Sequence, residues 1–121
     1  MSPADARTRR IEAQMQRVVA GLVAREVKDP RVGHITVTAV RLAADLGMAC
    51  VYFVPFAGTH DPQEVLQGLT RARGFLRGQV GRELGLRHAP QLEFKLDDTV
   101  ERAARLTGLI ERARTEDEAK R

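Results

Sequence analysis

The chain has 121 residues, of which 43% are hydrophobic and 30% are charged, and this composition predicts one soluble globular domain. The composition excludes collagen-like and fully disordered proteins. Because Cys50 is the sole cysteine, it also excludes a disulfide-rich protein, and a membrane-spanning one is excluded because no segment approaches the roughly 20 apolar residues of a membrane span. The net charge is +4 and most of the 20 basic residues are arginine, which favours planar recognition of phosphate groups.

The first predicted element is an amphipathic helix from Arg9 to Val27. Its apolar residues recur at steps of three and four, as on one face of a helix: Ile11, Met15, Val18, Val19, Leu22, Val23 and Val27. Pro30 and Gly33 follow, and proline disfavours helical geometry in the residue before it, so the helix must end by about Lys28. Residues 1–8, before the helix, are predicted to form a flexible basic arm.

Two β-strands follow, from His34 to Leu42 and from Leu46 to Pro55. Both are rich in β-branched and apolar residues that alternate with a period of two, and the first strand places Ile35, Val37 and Ala39 on one face. Only a few residues separate the strands. This spacing predicts an antiparallel hairpin.

A second helical region begins at Asp61 and Pro62, which are typical of an N-cap and a first helical turn. Its apolar residues continue to Leu84, but glycines interrupt the same stretch: Gly68, Gly74, Gly78, Gly81 and Gly85. Each interior glycine costs a helix about 0.5 to 1 kcal/mol relative to alanine. The glycines therefore predict either two helices with a kink between them, near Arg73-Gly74, or a surface where a partner must approach the backbone closely.

A third strand is predicted from Gln91 to Asp97, with Leu92, Phe94 and Leu96 facing inward. A last helix starts at Asp98 or Thr99 and has one apolar face: Val100, Ala103, Leu106, Leu109 and Ile110. Residues 111–121 are highly charged and are predicted to be disordered. The order αββααβ in residues 9–110, plus the C-terminal helix, predicts an α+β domain with a three-stranded sheet covered by helices on one face, as in type II KH domains.

The sequence offers little support for enzyme chemistry. His34, His60 and His88 lie far apart, Cys50 lies within a strand, and Asp97-Asp98 is placed to cap a helix. We therefore expect no catalytic residue, metal, cofactor or small-molecule substrate. A lone thiol and a polar start without a signal sequence predict a cytoplasmic protein.

The strongest chemical feature is the run of arginines in the glycine-rich segment. Residues 71–90 contain five basic residues and one acidic residue, and the basic ones are Arg71, Arg73, Arg77, Arg82 and Arg87. Small residues let a phosphate backbone approach while guanidinium groups bind it, although such arginines also form ordinary solvated helix faces. The five aromatic residues are mostly assigned to the core, so backbone contacts are expected rather than base stacking.

Several sequence blocks, in this order and spacing, resemble the bacterial ribosome-binding factor A family from about Arg7 to Ile110. The blocks are the first helix closed by Lys28-Asp29-Pro30-Arg31-Val32-Gly33, the strand segments Ile35-Thr36-Val37-Thr38-Ala39-Val40 and Asp45-Leu46-Gly47-Met48-Ala49-Cys50-Val51-Tyr52, the segment Ala72-Arg73-Gly74-Phe75-Leu76-Arg77, and Pro90-Gln91-Leu92-Glu93-Phe94-Lys95-Leu96-Asp97-Asp98-Thr99. The family commonly has serine before the Asp-Leu of the hairpin turn, where this chain has Ala44.

The resemblance implies a type II KH-like fold in which a helix kink at Ala72-Arg73-Gly74 replaces the GxxG loop of other KH domains. It also implies a monomeric, non-enzymatic factor that binds the free 30S ribosomal subunit and assists late 16S rRNA maturation, including the 5′ end. The resemblance further implies that the factor supports growth in the cold and leaves before translation. We expect a competing rRNA fold or a ribosome-assembly GTPase to displace it. The expected RNA-binding residues are Arg7, Arg9, Arg10, Lys28, Arg31, Arg71, Arg73, Arg77, Arg82 and Arg87.

Two other functions fit the residues. One is a protein-interaction module whose arginines serve only solubility, and the other is a generic KH-type nucleic-acid binder without a ribosomal role. The salt dependence of binding distinguishes a protein-interaction module from an RNA-binding protein. Affinity that rests on phosphate contacts falls steeply as the salt concentration rises, whereas the affinity of an apolar interface does not.

Overall fold

A computed structural model describes residues 3–56 and 61–98, which form two helices and three strands. The elements are α1 (Pro3–Glu26), β1 (Ile35–Leu42), β2 (Met48–Pro55), α2 (Pro62–Leu84) and β3 (Gln91–Leu96). The predicted α+β class, three-stranded sheet and β1–β2 hairpin are confirmed. The predicted C-terminal helix to Ile110 and the tail at 111–121 fall outside the described residues.

The central strand of the sheet is β2. It pairs antiparallel with β1 and parallel with β3, so Val51 lies between Val40 on one side and Phe94 on the other. A bulge between Val37 and Ala39 shifts the register of β1. Because of this shift, Val37 and Val40 are the buried residues of β1, rather than the expected set of Ile35, Val37 and Ala39.

Both helices cover the same face of the sheet, as predicted. On this face Ala49, Val51 and Phe53 of β2 are completely buried, and α1 packs mainly on β1 while α2 packs mainly on β3. The Phe53 and Phe94 rings form an edge-to-face pair, with centroids 6.4 Å apart. The core is therefore one layer between the helices and the sheet.

A buried carboxylate joins α1 to the end of β1. Glu12 is only 5% exposed, and its Oε2 accepts a hydrogen bond of 2.8 Å from the backbone N–H of Leu42. Its Oε1 lies 3.4 Å from Arg9 Nη1 and 3.9 Å from Arg41 Nη1. These partners compensate the cost of burying the charge, and the pairing fixes the position of α1 along the sheet.

The first helix starts earlier than the apolar pattern predicts. It begins at Pro3 rather than Arg9, so Arg7, which the sequence places in the N-terminal arm, lies within α1. Proline favours the first turn of a helix, and the acidic Asp5 complements the partial positive charge of the helix N-terminus. Neither signal depends on an apolar face, which is why the periodicity alone misses this turn.

The predicted division of the second helical region into two separate helices is wrong, while the kink at Ala72-Arg73-Gly74 stays a prediction. The chain is helical without interruption from Pro62 to Leu84, through Ala72-Arg73-Gly74. Asp61 caps its start by accepting the Gln63 N–H at 3.0 Å, and Gly85 ends it with a φ of 65°. Leu69 and Leu76 are completely buried on either side of the expected break. Their burial outweighs the modest helix cost of one glycine.

The turn after α1 touches α2 at Gly68. A β-carbon at this position would lie 2.6 Å from Cγ2 of the buried Val32 and 3.3 Å from Oδ2 of Asp29. Real side chains do not approach so closely, and the branched Val32 has little rotameric freedom to withdraw. The absence of a side chain at Gly68 therefore lets the turn dock on α2.

Gly68→Ala should lower the free energy of unfolding by about 1 to 3 kcal/mol, because the methyl group overpacks this contact. Gly74→Ala is the matched control on the same helix, since a β-carbon there would meet nothing in residues 3–56 and 61–98 within 4 Å, the helix's own nearby backbone aside. It should raise stability by about 0.5 to 1 kcal/mol through helix propensity. Urea denaturation of both variants measures the two effects, and equal stabilities would contradict the close contact at Gly68.

Candidate nucleic-acid interface

One side of α2 consists largely of glycine and faces away from the sheet. At 100° per residue, Gly74 and Gly78 lie about 160° around the helix from the buried Leu76, and Gly81 lies close to them. Gly74 and Gly78 are exposed. We call Gly74, Gly78, Gly81 and the capping Gly85 the glycine face. At Gly74 and Gly78 the absence of side chains leaves the helix backbone open to close approach by a partner. Gly81 instead packs against the loop before β3, where an added β-carbon would lie 3.2 Å from Cβ of Ala89.

The glycine face forms the floor of an open groove of about 540 Å³. Three of the predicted arginines line this groove: Arg77, Arg82 and Arg87. Arg77 is held in place because its Nε donates a hydrogen bond of 3.0 Å to the carbonyl oxygen of Ala89, in the loop before β3. The groove thus combines accessible backbone with guanidinium groups, an arrangement suited to phosphates.

Arg71 and Arg73 flank the glycine face on opposite sides. Arg73 and Arg77 border a smaller groove with Gln91 at the start of β3. Arg71 borders another groove with Lys28, on the side where the turn after α1 meets α2. All five predicted arginines of residues 71–90 are at least partly exposed, so the structure brings them together along and just beyond one helix.

The turn after α1 has its own ion pair. Asp29 Oδ1 accepts two hydrogen bonds from Arg31, one of 3.0 Å from the backbone N–H and one of 3.2 Å from the side-chain Nε. The backbone hydrogen bond chiefly lowers the pKa of Asp29 below the ordinary 3.8; the Arg31 side chain and the charge of Arg71 lower it further, against an opposing effect of desolvation. Asp29 therefore offsets part of the Arg31 charge. Lys28 and Arg71 supply the remaining positive charge here.

The three N-terminal arginines lie at the other end of α1. Arg7, Arg9 and Arg10 are all exposed, and Arg9 Nη1 contacts the buried Glu12 at 3.4 Å. Seventeen residues of helix separate Arg9 from Glu26, which is about 25 Å. The structure therefore does not join these arginines to Lys28 and Arg31 in one cluster.

Comparison with known proteins identifies the family. A sequence profile described as ribosome-binding factor A matches residues 7–110. The chain belongs to the ribosome-binding factor A family.

Relatives of known sequence and structure agree with this assignment. The chain is 48% identical to ribosome-binding factor A of Pseudomonas fluorescens strain SBW25 over 97% of its own length and 91% of the relative's. It matches the crystal structure of ribosome-binding factor A from Thermus thermophilus with a TM-score of 0.67 and 32% identity, covering 74% of this chain and 94% of that one. A homology model of the Thermus thermophilus factor, fitted into a cryo-EM map of a 30S complex, matches with a TM-score of 0.64 and 32% identity, covering 75% and 96%.

Sequence reasoning missed one exposed aromatic residue at the site. Phe75 on α2 is 49% exposed, and Phe56 after β2 is 64% exposed, whereas Phe53 and Phe94 are buried as expected. The assignment of most aromatics to the core is therefore wrong for Phe75 and Phe56. The helical periodicity of the sequence could have shown this exposure, because Phe75 lies about 100° around the helix from the buried Leu76.

The residues considered for enzyme chemistry lie apart. His34 is exposed before β1, His88 lines the α2 groove, Cys50 is half-buried in β2, and His60 falls outside the described residues. Among residues 3–56 and 61–98, no three His, Cys, Asp or Glu side chains are grouped to hold a metal ion. In that same part of the chain, neither helix is long and apolar enough to cross a membrane.

Asp29→Asn should lower the free energy of unfolding at pH 7. Since the pKa of Asp29 is lowered in the folded protein, its ionised form stabilises the fold above the unfolded pKa of about 3.8. This contribution is lost as the pH falls through the folded-state pKa. The difference between wild type and variant in urea denaturation should therefore shrink between pH 7 and pH 3, and a difference that stays constant would contradict the ion-pair assignment.

Proposed function

We propose that this chain binds the 30S ribosomal subunit and that the glycine face of α2, with its flanking arginines, is its rRNA-binding surface. The observation that carries the proposal is the single groove in which Gly74, Gly78 and Gly81 lie beside Arg77, Arg82 and Arg87. A Thermus thermophilus relative with the same fold was fitted into a 30S complex, which supports the choice of partner.

The binding chemistry is phosphate neutralisation. Each arginine guanidinium group can donate two parallel hydrogen bonds to phosphate oxygens, and the absence of side chains at the glycines lets the RNA backbone lie close to the helix backbone. Arg71 and Arg73 extend the contact on the two sides of the glycine face. Lys28 and Arg31 add charge beside α2, and the N-terminal arginines Arg7, Arg9 and Arg10 provide a separate contact at the far end of α1.

The proposed action is occupancy rather than catalysis. By neutralising phosphates of immature 16S rRNA, the protein stabilises one rRNA conformation and leaves when a competing fold or a GTPase displaces it. We propose that this step falls late in 16S rRNA maturation, including the 5′ end, and that it supports growth in the cold, which is what the family resemblance implies. A KH-like domain needs no cofactor for such a role.

Arg73→Gln/Arg82→Gln should weaken binding to purified 30S subunits and lower the steepness of its salt dependence. Each lost phosphate contact reduces the steepness of log affinity against log salt by about 1, so this slope should be less steep by about 2 in the double variant. Arg17→Gln/Lys95→Gln is the matched control, since it removes the same charge from two residues outside the proposed site. Co-sedimentation on gradients from about 50 to 200 mM salt measures the affinity and its salt dependence for the wild type and the two double variants.

The outcomes separate the possible functions. If the wild type, verified as folded, is absent from every ribosomal fraction at low salt, the ribosomal role is wrong. Binding that barely responds to salt would indicate a protein-interaction module, and equal affinity for short single-stranded RNA would indicate a generic nucleic-acid binder. If both double variants behave alike, net charge rather than this surface directs binding.

A further inference from the structure

Phe75 lies among the arginines of α2 but takes no part in phosphate neutralisation. It follows Arg71 by one helical turn and precedes Arg82 by two, and all three lie within about 40° of one another around the helix. Of the two neighbours one turn further along the helix, Gly78 has no side chain to shield the ring and Gln79 is half-buried. Phe75 therefore presents half of its surface to solvent between two exposed cations.

The ring borders a groove between α2 and the end of α1. This groove has a volume of about 240 Å³, and its other lining residues include Val27, Lys28, Gly68 and Arg71. Small-ligand pockets usually measure roughly 300 to 1,000 Å³ and enclose most of their ligand, so this shallow site suits a single flat group better than a cofactor. Val27 packs against the core, which gives the groove a fixed apolar wall beside the ring.

The charges around the groove indicate the chemistry of its occupant. Lys28 and Arg71 line it together with two acidic residues, Glu26 and Asp29. The carboxylate of Asp29 is engaged by Arg31, and Glu26 is exposed to solvent. An exposed aromatic ring flanked by cations is how proteins bind single-stranded nucleic acid, because every base has a face that stacks and every nucleotide carries a phosphate. An apolar protein partner would leave Lys28 and Arg71 without anionic groups to meet.

We propose that Phe75 is a stacking site for one unpaired base of the bound rRNA, with Arg71 and Lys28 on its flanking phosphates. The proposal rests on the proposed function and adds to it that the target includes an unpaired nucleotide next to the phosphates held by the glycine face. The protein thereby distinguishes a single-stranded junction from a continuous duplex, in which the bases are already stacked on each other.

Phe75→Leu tests this proposal, because leucine keeps an apolar side chain on the half-exposed position but has no flat ring. Affinity for purified 30S subunits, followed by fluorescence anisotropy of labelled protein, should fall about tenfold, within the range measured for loss of one base stack. The fall should be the same at about 50 and 200 mM salt, since stacking releases no counterions. Phe75→Trp should retain wild-type affinity, and Phe56→Leu, at the other exposed phenylalanine, is the matched control.

Ultraviolet cross-linking of the wild-type complex, followed by mass spectrometry, supplies a readout that a structural role would not move. A nucleotide attached to the α2 peptide containing Phe75 supports stacking. Wild-type affinity of Phe75→Leu would overturn the proposal, as would a cross-link from this peptide to a ribosomal protein.

If Arg73→Gln/Arg82→Gln weakens binding while Phe75→Leu does not, the 30S role stands and the stacking site is wrong. If the wild type binds no 30S subunit, the proposed function itself fails.

Discussion

The orientation of α2 about its own axis determines the surface that the molecule presents. Val65, Leu69, Leu76 and Val80 are all completely buried against the sheet and α1. Burying each of them contributes roughly 1.5 to 3 kcal/mol, which exceeds the cost of about 1 kcal/mol for each glycine on the same helix. The helix therefore forms despite its glycines, and its buried stripe leaves Gly74 and Gly78 on the solvent side.

This arrangement separates the residues that stabilise α2 from those available for binding. The apolar stripe and the contact of Val32 with Gly68 hold the helix in place, while the arginines flank a surface without side chains. The turn after α1 connects the two, because it docks at Gly68 and also places Lys28 beside Arg71. Because the helix backbone is already ordered, the proposed RNA binding costs conformational entropy mainly in the arginine side chains.

Much of this organisation could be predicted from the sequence, because apolar periodicity reports which face of an element is buried. It identified α1, the hairpin and β3, and it predicted that the helices cover one face of the sheet. It divided α2 wrongly, since propensity counts the cost of a glycine but not the burial of Leu69 and Leu76 on either side. It also missed the buried Glu12, whose place within an apolar stripe was the only sign, and the β1 bulge, which depends on pairing with β2. The arginines could be named from the sequence, but only the packing of α2 shows which of them share a groove.

The central claim is that the glycine face admits the RNA backbone, and Gly74→Ala/Gly78→Ala tests it most directly. Within the part of the chain that the structure describes, neither methyl group would meet another residue's side chain closer than 3.8 Å, so the variant should fold with equal or greater stability. The account predicts that its affinity for 30S subunits nevertheless falls by about tenfold, since the methyl groups overpack the bound backbone. Wild-type affinity in this stable variant would contradict the account.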